Sequence, residues 1–181
     1  MKFITTIIFT VFTTFCLFSQ YSKEYEILTE KLIATDTINF EELYKNGEIK
    51  EKGTVLTYKV GDYSADYYFG DYYQYYRNGQ VKMTAKFDRF GNLLSQKCYL
   101  NFGGLCSEST TFEIDSETTD LEELLRVDEK TKVISNDKFY NYSMKLDSMY
   151  LKKEGKMIGN KKIGVWKIYS RNGELIDEKQ Y

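Results

Sequence analysis

Apolar and polar residues alternate with a period of two along much of the chain, and the alternating stretches end at short turn sequences. This pattern is typical of β-strands, in which successive side chains point to opposite faces of a sheet. In one such stretch it places Tyr72 and Tyr76 on one face and Tyr73 and Tyr75 on the other. The pattern therefore predicts a sheet with aromatic side chains on both faces, where cross-strand ring pairs shield the backbone.

Two of the alternating stretches repeat each other. GDYYQYYRNGQVK occupies 70–82 and GVWKIYSRNGELI occupies 164–176, and both read Gly-x-aromatic-x-x-Tyr-x-Arg-Asn-Gly. The matched aromatic residues are Tyr72 with Trp166 and Tyr75 with Tyr169. Self-similarity of this kind indicates a structural unit that occurs more than once in the chain.

Weaker copies of the same unit lie elsewhere. INFEELYKNGEIK at 38–50 keeps the Asn-Gly dipeptide, whereas KMTAKFDRFGNLL at 82–94 has Phe90 in place of Asn. A fragment at 151–159 keeps the turn and the strand but lacks the aromatic pair. Asn-Gly between strand-forming residues is the strongest short-range hairpin signal, and it predicts type I′ turns, whose two central residues have positive φ. We therefore expect a chain of β-hairpins.

The pattern Gly-x-Trp-x-x-Tyr-x-x-Asn-Gly-x-Leu at 164–175 resembles the variant MORN repeat of YwqK-like proteins, which are often described as antitoxin-like. The resemblance extends to 70–83, and more weakly to 38–50 and 82–94, although Tyr72 stands where the repeat usually has Trp. It implies a mainly β fold, a meandering antiparallel sheet of tandem β-hairpins. It also implies a role in contacting a partner, and it does not imply catalysis.

Two short segments have a helical pattern instead. Tyr25, Leu28 and Leu32 recur at helical spacing, so we predict a short N-terminal helix at one end of the sheet, with a strand as the alternative. A second helix is predicted to begin after Thr119 or Asp120, because either can act as the N-cap and acidic residues follow in the first turn.

The first residues read as a secretory signal peptide at 1–19. One basic residue precedes an apolar run at 3–18, and Ser19 is a small residue at a suitable cleavage point. This predicts an exported protein that is periplasmic, attached to the cell envelope or secreted, with no stable membrane span after cleavage. A retained anchor is one alternative, and lipidation at Cys16 is another, disfavoured because a large Phe precedes that cysteine.

Length and composition limit the remaining possibilities. The chain has 181 residues, enough for about one domain. Within a single domain at 20–181 we expect MORN-like hairpins at about 38–106 and 150–181, with an acidic insertion at about 107–149. The net charge of −2 argues against a nucleic-acid-binding protein.

The chain contains no His, which excludes Ser-His-Asp and Cys-His catalysis and imidazole metal ligands. Paired carboxylates could hydrolyse glycosidic bonds without His, but the acidic residues fall mostly in charged runs or after turns. The acidic residues Asp115, Glu117, Asp120 and Glu122 lack the glycine-containing loop of a calcium site, so a solvated acidic face is favoured. We therefore predict no catalytic, cofactor or metal site.

A binding function remains. We predict an exported, non-catalytic interaction module that contacts a protein partner, in an antitoxin-like or immunity-like role. The candidate partner-contacting residues are Tyr72, Tyr75, Trp166 and Tyr169. The alternative is a carbohydrate-binding protein of the envelope or the extracellular space, which three or more coplanar, exposed Tyr rings would favour.

Cys98 and Cys106 form the last predicted site. They flank a Gly-Gly turn signal, so a hairpin would bring them opposite each other. An even pair of cysteines in an oxidising compartment favours a disulfide, and two buried free thiols are the alternative.

Protein isolated from its native compartment under non-reducing conditions should therefore show no titratable thiol at Cys98 or Cys106. Closing this short loop is expected to stabilise the fold by about 2–3 kcal/mol. Thiol titration of the folded protein, with a reduced sample as the control, checks this. Two readily titrated thiols in the unreduced sample would refute the disulfide.

Overall fold

A computed structural model describes residues 20–126 and 130–181 of the chain. The predicted signal peptide at 1–19, including Cys16, lies outside the described residues.

Within the described residues, ten antiparallel strands form one open sheet, and two short helices accompany it. The strands pair strictly in chain order, so each strand neighbours the one before it and the one after it. The strands are β1 (Asp36–Leu43), β2 (Ile49–Val60), β3 (Tyr63–Tyr75), β4 (Val81–Phe87), β5 (Leu93–Tyr99), β6 (Leu105–Ser116), β7 (Thr131–Ser143), β8 (Ser148–Ile158), β9 (Lys161–Tyr169) and β10 (Leu175–Gln180). The helices are α1 (Lys23–Thr29) and α2 (Leu121–Arg126). The prediction of a mainly β, meandering antiparallel fold with one or two short helices is confirmed at this level.

Both predicted helices form, and each has an N-cap, of which the one at Asp120 was among the predicted candidates. The Ser22 hydroxyl caps α1 by accepting a hydrogen bond from the backbone N–H of Tyr25 at 3.1 Å. The Asp120 carboxylate accepts one from the backbone N–H of Glu123 at 2.7 Å, as expected of an N-cap. The acidic segment predicted at about 107–149 contributes most of β6 and all of β7 to the same sheet.

The helices complete the hydrophobic core at one part of the sheet. Tyr25 of α1 and Leu124 of α2 pack with Ile114 of β6, which is fully buried. A second buried cluster joins Leu125 to Tyr58 of β2. Both clusters bury apolar surface that a single-layer sheet alone would leave in water.

Five hairpin turns share one backbone hydrogen-bonding pattern, which differs from the predicted type I′ turn. In each turn, the first residue donates its N–H to the carbonyl of the fifth and accepts from the N–H of the fourth, a glycine. These turns are 44–48, 76–80, 88–92, 100–104 and 170–174. The fourth-position glycines have φ between 80° and 87°. This is a type I turn followed by a left-handed glycine bulge.

The prediction of type I′ turns was therefore wrong. A type I′ turn needs positive φ at Asn as well as at Gly, yet among the described non-glycine residues only Asp147 has positive φ. The glycine alone takes the left-handed conformation, so the position before it accepts larger residues. Phe90 occupies that position in one turn, where its ring packs against Tyr25 and Tyr58 at centroid distances of 5.9 and 5.7 Å.

The two strongest sequence copies also share a local packing arrangement. Trp166 of β9 lies over Gly155 of β8, and Tyr72 of β3 lies over Gly53 of β2. In both strand pairs the register shifts beside that glycine. The absence of a side chain at the glycine lets a large ring lie against the backbone of the neighbouring strand. As a result, Trp166 is only 1% exposed and Tyr72 only 4% exposed.

Replacing Gly155 with Ala should destabilise the fold by about 1–3 kcal/mol through overpacking. The added Cβ would lie 2.5 to 2.6 Å from atoms of the Trp166 ring. The control is Gly53→Ala, whose Cβ would lie 3.1 Å from Tyr72, so its effect should be smaller. Urea unfolding measures both. Equal stability of Gly155→Ala and the unsubstituted protein would contradict the packing, because Gly→Ala at an unstrained site otherwise stabilises slightly.

Candidate functional site

One residue from each strand contributes to a continuous row that crosses the whole sheet. Each member is the direct backbone partner of the next, so all ten side chains project from the same face. In strand order the row is Glu41, Lys52, Tyr73, Thr84, Lys97, Glu108, Lys138, Glu154, Lys167 and Glu178. We call this set the charged row.

The charges in this row alternate in sign. From β5 to β10 every member is charged, and each Lys has a Glu on the neighbouring strand. Glu41 and Lys52 form one more opposite pair at the other end. Opposite charges that meet across a strand pair contribute about 0.2–1 kcal/mol, and Lys138 and Glu108 meet in this way at 3.1 Å.

Three grooves follow the charged row in succession across the sheet, with volumes of ≈ 360, 400 and 680 Å³. Asp71 and Tyr73 line both the first and the second groove. Glu108 and Thr110 line both the second and the third. Every member of the row except Glu178 lines at least one of them. The row therefore passes through three adjoining, shallow grooves.

Glu108 is held in place near the middle of the row. Its Oε1 lies 3.1 Å from the Nζ of Lys138 and accepts a hydrogen bond from the Tyr140 hydroxyl at 2.8 Å. The hydrogen bonds from Tyr140 and Lys138 lower the pKa of Glu108. Burial and the bond to Glu108 raise the pKa of Tyr140 to about 12. This carboxylate is thus an anion at neutral pH with a defined orientation.

Glu154 has an equivalent arrangement two strands away. The Tyr169 hydroxyl donates a hydrogen bond of 2.5 Å to its Oε1. That bond and partial burial raise the pKa of Tyr169 to about 12. A tyrosine therefore orients each of the two half-buried carboxylates of the row.

Aromatic rings replace the alternating charges near β3. The rings of Tyr73 and Tyr75 stack with centroids 6.5 Å apart and an angle of 21° between their planes. The Nζ of Lys52 lies 5.7 and 5.9 Å from the two ring centroids, within cation–π distance. This end of the row can contact both apolar and cationic groups.

The four aromatic residues predicted to contact a partner divide between the two faces. Tyr75 and Tyr169 lie on the side of the charged row, next to Lys52 and Glu154 respectively. Tyr72 and Trp166 are buried on the opposite side, over their glycines. Their burial supports a structural role for these two rings.

The rings in the described part of the chain offer little support for the carbohydrate alternative. The stacked pairs there, Tyr21 with Tyr25 and Tyr73 with Tyr75, join only two rings each. Tyr68 is 41% exposed, but its ring is tilted by 47° from that of Tyr72. No set of three coplanar, exposed Tyr rings is found among the described residues.

Cys98 and Cys106 lie on the paired strands β5 and β6, which form the predicted hairpin. In this structure both are free, half-buried thiols, so the disulfide remains a prediction. Cys98 is paired with Ser107, and Cys106 lies at the register shift beside it. Burial raises the pKa of the Cys106 thiol, which lowers its reactivity at neutral pH.

Two further properties of residues 20–126 and 130–181 concern metal ions and membranes. No group of three or more acidic or cysteine side chains there is arranged to hold a metal ion. No helix in that part of the chain is both long and apolar enough to cross a membrane.

None of the charged members of the row was predicted from the sequence to be a functional residue. A partial signal exists, because Tyr73 and Lys167 occupy the same position of the two strongest copies, directly after the buried ring. Glu41 follows Phe40 in the weaker copy in the same way. Lys97, Glu108 and their neighbours lie outside these copies, so only the strand register places them in the row.

Comparison with known proteins gives no relative: no protein-family model, curated protein or solved structure matches the chain.

Replacing Glu108 with Gln should make the protein's stability less dependent on acidic pH. Because the pKa of Glu108 is lower in the folded protein, its contribution to stability is present above its ordinary pKa, near 4.3, and is lost as the pH falls below that. Urea unfolding at several pH values from 6 downwards, to about 3, measures the slope.

Tyr140→Phe is the matched variant, because it keeps the carboxylate and removes one hydrogen-bond donor. It should reduce the acid dependence only in part, since Lys138 still contacts Glu108. An acid dependence of Glu108→Gln equal to that of the unsubstituted protein would show that the Glu108 contacts do not stabilise the fold.

Proposed function

We propose that this protein is an exported, non-catalytic binding module that contacts a protein partner through the face carrying the charged row. The observation that carries the proposal is the row itself, which takes one residue from each of ten strands and passes through three adjoining grooves. Opposite charges could support the sheet on a flat surface, so structural support alone does not require the succession of grooves that these residues line.

The balance of charge in the row indicates the class of partner. It contains four Lys and four Glu, which cancel. A nucleic acid or another uniform polyanion would meet Glu108, Glu154 and Glu178 as well as the lysines, and would be repelled at every second strand. A protein surface with charges of both signs can match the row, and such complementarity supplies specificity.

A purely binding role agrees with the state of the carboxylates. A glycosidase needs one carboxylic acid whose pKa is raised, so that it can donate a proton to the leaving group. Glu108 has the opposite shift, because Tyr140 and Lys138 stabilise its anion. Its chemistry suits an ion pair with a partner rather than proton donation.

The kinship with YwqK-like, variant MORN-repeat proteins is part of this proposal, as is an antitoxin-like or immunity-like role. The five turns of common geometry and the two rings over glycine support a recurring hairpin unit. Export rests on the signal-peptide pattern at 1–19. An immunity protein that acts in the cell envelope would fit an exported address better than a cytoplasmic antitoxin would.

Carbohydrate binding is the second candidate function, and one observation favours it. The stacked rings of Tyr73 and Tyr75 lie beside Lys52, and the ≈ 360 Å³ groove there is also lined by Asn39 and Asp71. A ring face with polar groups around it is a suitable surface for a sugar. This site is confined to one end of the row.

Lys97→Glu should weaken binding to the partner about tenfold, because it replaces a positive charge of the row with a negative charge directly beside Glu108. In the experiment, the partner is captured from a cell-envelope extract, purified and titrated against the unsubstituted protein and each variant. The control is Lys59→Glu, an exposed lysine of β2 that lines none of the three grooves.

Equal affinities of all three proteins would contradict a role for the charged row. Recovery of a glycan whose binding is lost in Tyr73→Ala but kept in Lys97→Glu would favour the carbohydrate function instead.

A further inference from the structure

The charged row has a fixed repeat distance, because neighbouring strands of a sheet lie about 4.8 Å apart. Charges of the same sign therefore recur at about 9.6 Å, as Glu108, Glu154 and Glu178 do on β6, β8 and β10. The alternating part, from Lys97 to Glu178, comprises five strand-to-strand steps, or about 24 Å. An occupant that pairs with every charge must present opposite charges at this spacing.

An α-helix lying across the strands meets this requirement. Residues three and four positions apart share one face, and at 1.5 Å per residue an average of three and a half positions spans about 5.3 Å. Five such steps cover about 26 Å, which differs from the row by about 2 Å. Flexible Lys and Glu side chains can take up a difference of this size.

An extended peptide does not fit the same spacing. Its same-face residues are two positions apart, at about 6.7 Å, so five steps cover about 33 Å. Over five steps the mismatch reaches about 9 Å, which is close to two strand spacings. About halfway along the row the peptide is therefore displaced by one strand spacing, and its charges there lie against charges of the same sign.

We propose that the charged row binds an α-helix of the protein partner, laid across strands β5–β10, whose charges alternate in sign every three to four residues. The partner helix places an acidic residue against each Lys of the row and a basic residue against each Glu. The hydroxyl groups of Tyr140 and Tyr169 hold Glu108 and Glu154 in position for it. This inference rests on the proposed binding function and specifies the partner's chemistry.

The test uses two synthetic helical peptides of about 21 residues, six half-heptads long. Both contain three Glu and three Lys on one face of the helix, and Ala and Gln occupy the remaining positions. In the first peptide the signs alternate along the face, and in the second the three Glu precede the three Lys. Both are cross-linked on the opposite face, because alternating pairs would otherwise make only the first peptide more helical. Circular dichroism confirms equal helicity.

Fluorescence anisotropy then measures binding to the full chain at low salt. The alternating peptide should bind at least about tenfold more tightly than the segregated one, and salt should weaken its binding. Equal binding of both peptides, or binding of neither, would overturn the proposal. So would tighter binding of an extended peptide with alternating charges.

A charge-swapped protein gives the matched control. Lys167→Glu combined with Glu178→Lys keeps the net charge, changes two exposed residues, and breaks the alternation at one end of the row. It should lose about tenfold in affinity for the alternating peptide, and a third peptide with its two terminal signs exchanged should recover that affinity. Equal affinity of the swapped and unswapped proteins for the first peptide would show that binding does not follow the row.

The two proposals can fail separately. If Lys97→Glu weakens binding of the captured partner while no peptide discriminates, the helical occupant is wrong and the binding function stands. If the partner binds all variants equally and the peptides also fail, both proposals are wrong.

Discussion

The pairing of ten strands in chain order, with a defined register in each pair, is the constraint on which the rest of this structure depends. A slip of one residue in any strand would move its member of the charged row to the opposite face. Short turns set this register, and in five of them one glycine takes the left-handed conformation that closes the hairpin. The order of charges across the sheet is therefore a consequence of turn geometry together with the register shifts within the strand pairs.

Adjacent residues of one strand have different roles on the two faces of the sheet. In β9, the ring of Trp166 covers backbone on one face while Lys167 joins the row on the other; in β3, Tyr72 and Tyr73 divide in the same way. A single-layer sheet has no second sheet against which to pack, so rings over glycine provide its apolar cover. The other face can then remain polar and available for binding.

The proposed binding role follows from how the polar face is organised. Tyrosine hydroxyls orient two of its carboxylates, Glu108 and Glu154, before any partner arrives. Side chains that are already ordered lose less conformational entropy on binding, so such preorganisation favours affinity. The balanced charges select against uniform polyanions, and the strand spacing selects for an occupant with a matching repeat.

Local features of this protein could be predicted from the sequence by itself. The β-hairpins, the two short helices and the N-cap at Asp120 depend on residues close in the chain. The turn type was predicted wrongly because Asn-Gly also suits a turn with only one left-handed residue. The charged row required the tertiary structure, because each of the nine strand pairs contains a register shift. Such shifts depend on cross-strand packing, as at Gly155 under Trp166, and no local pattern reveals which charges they bring together.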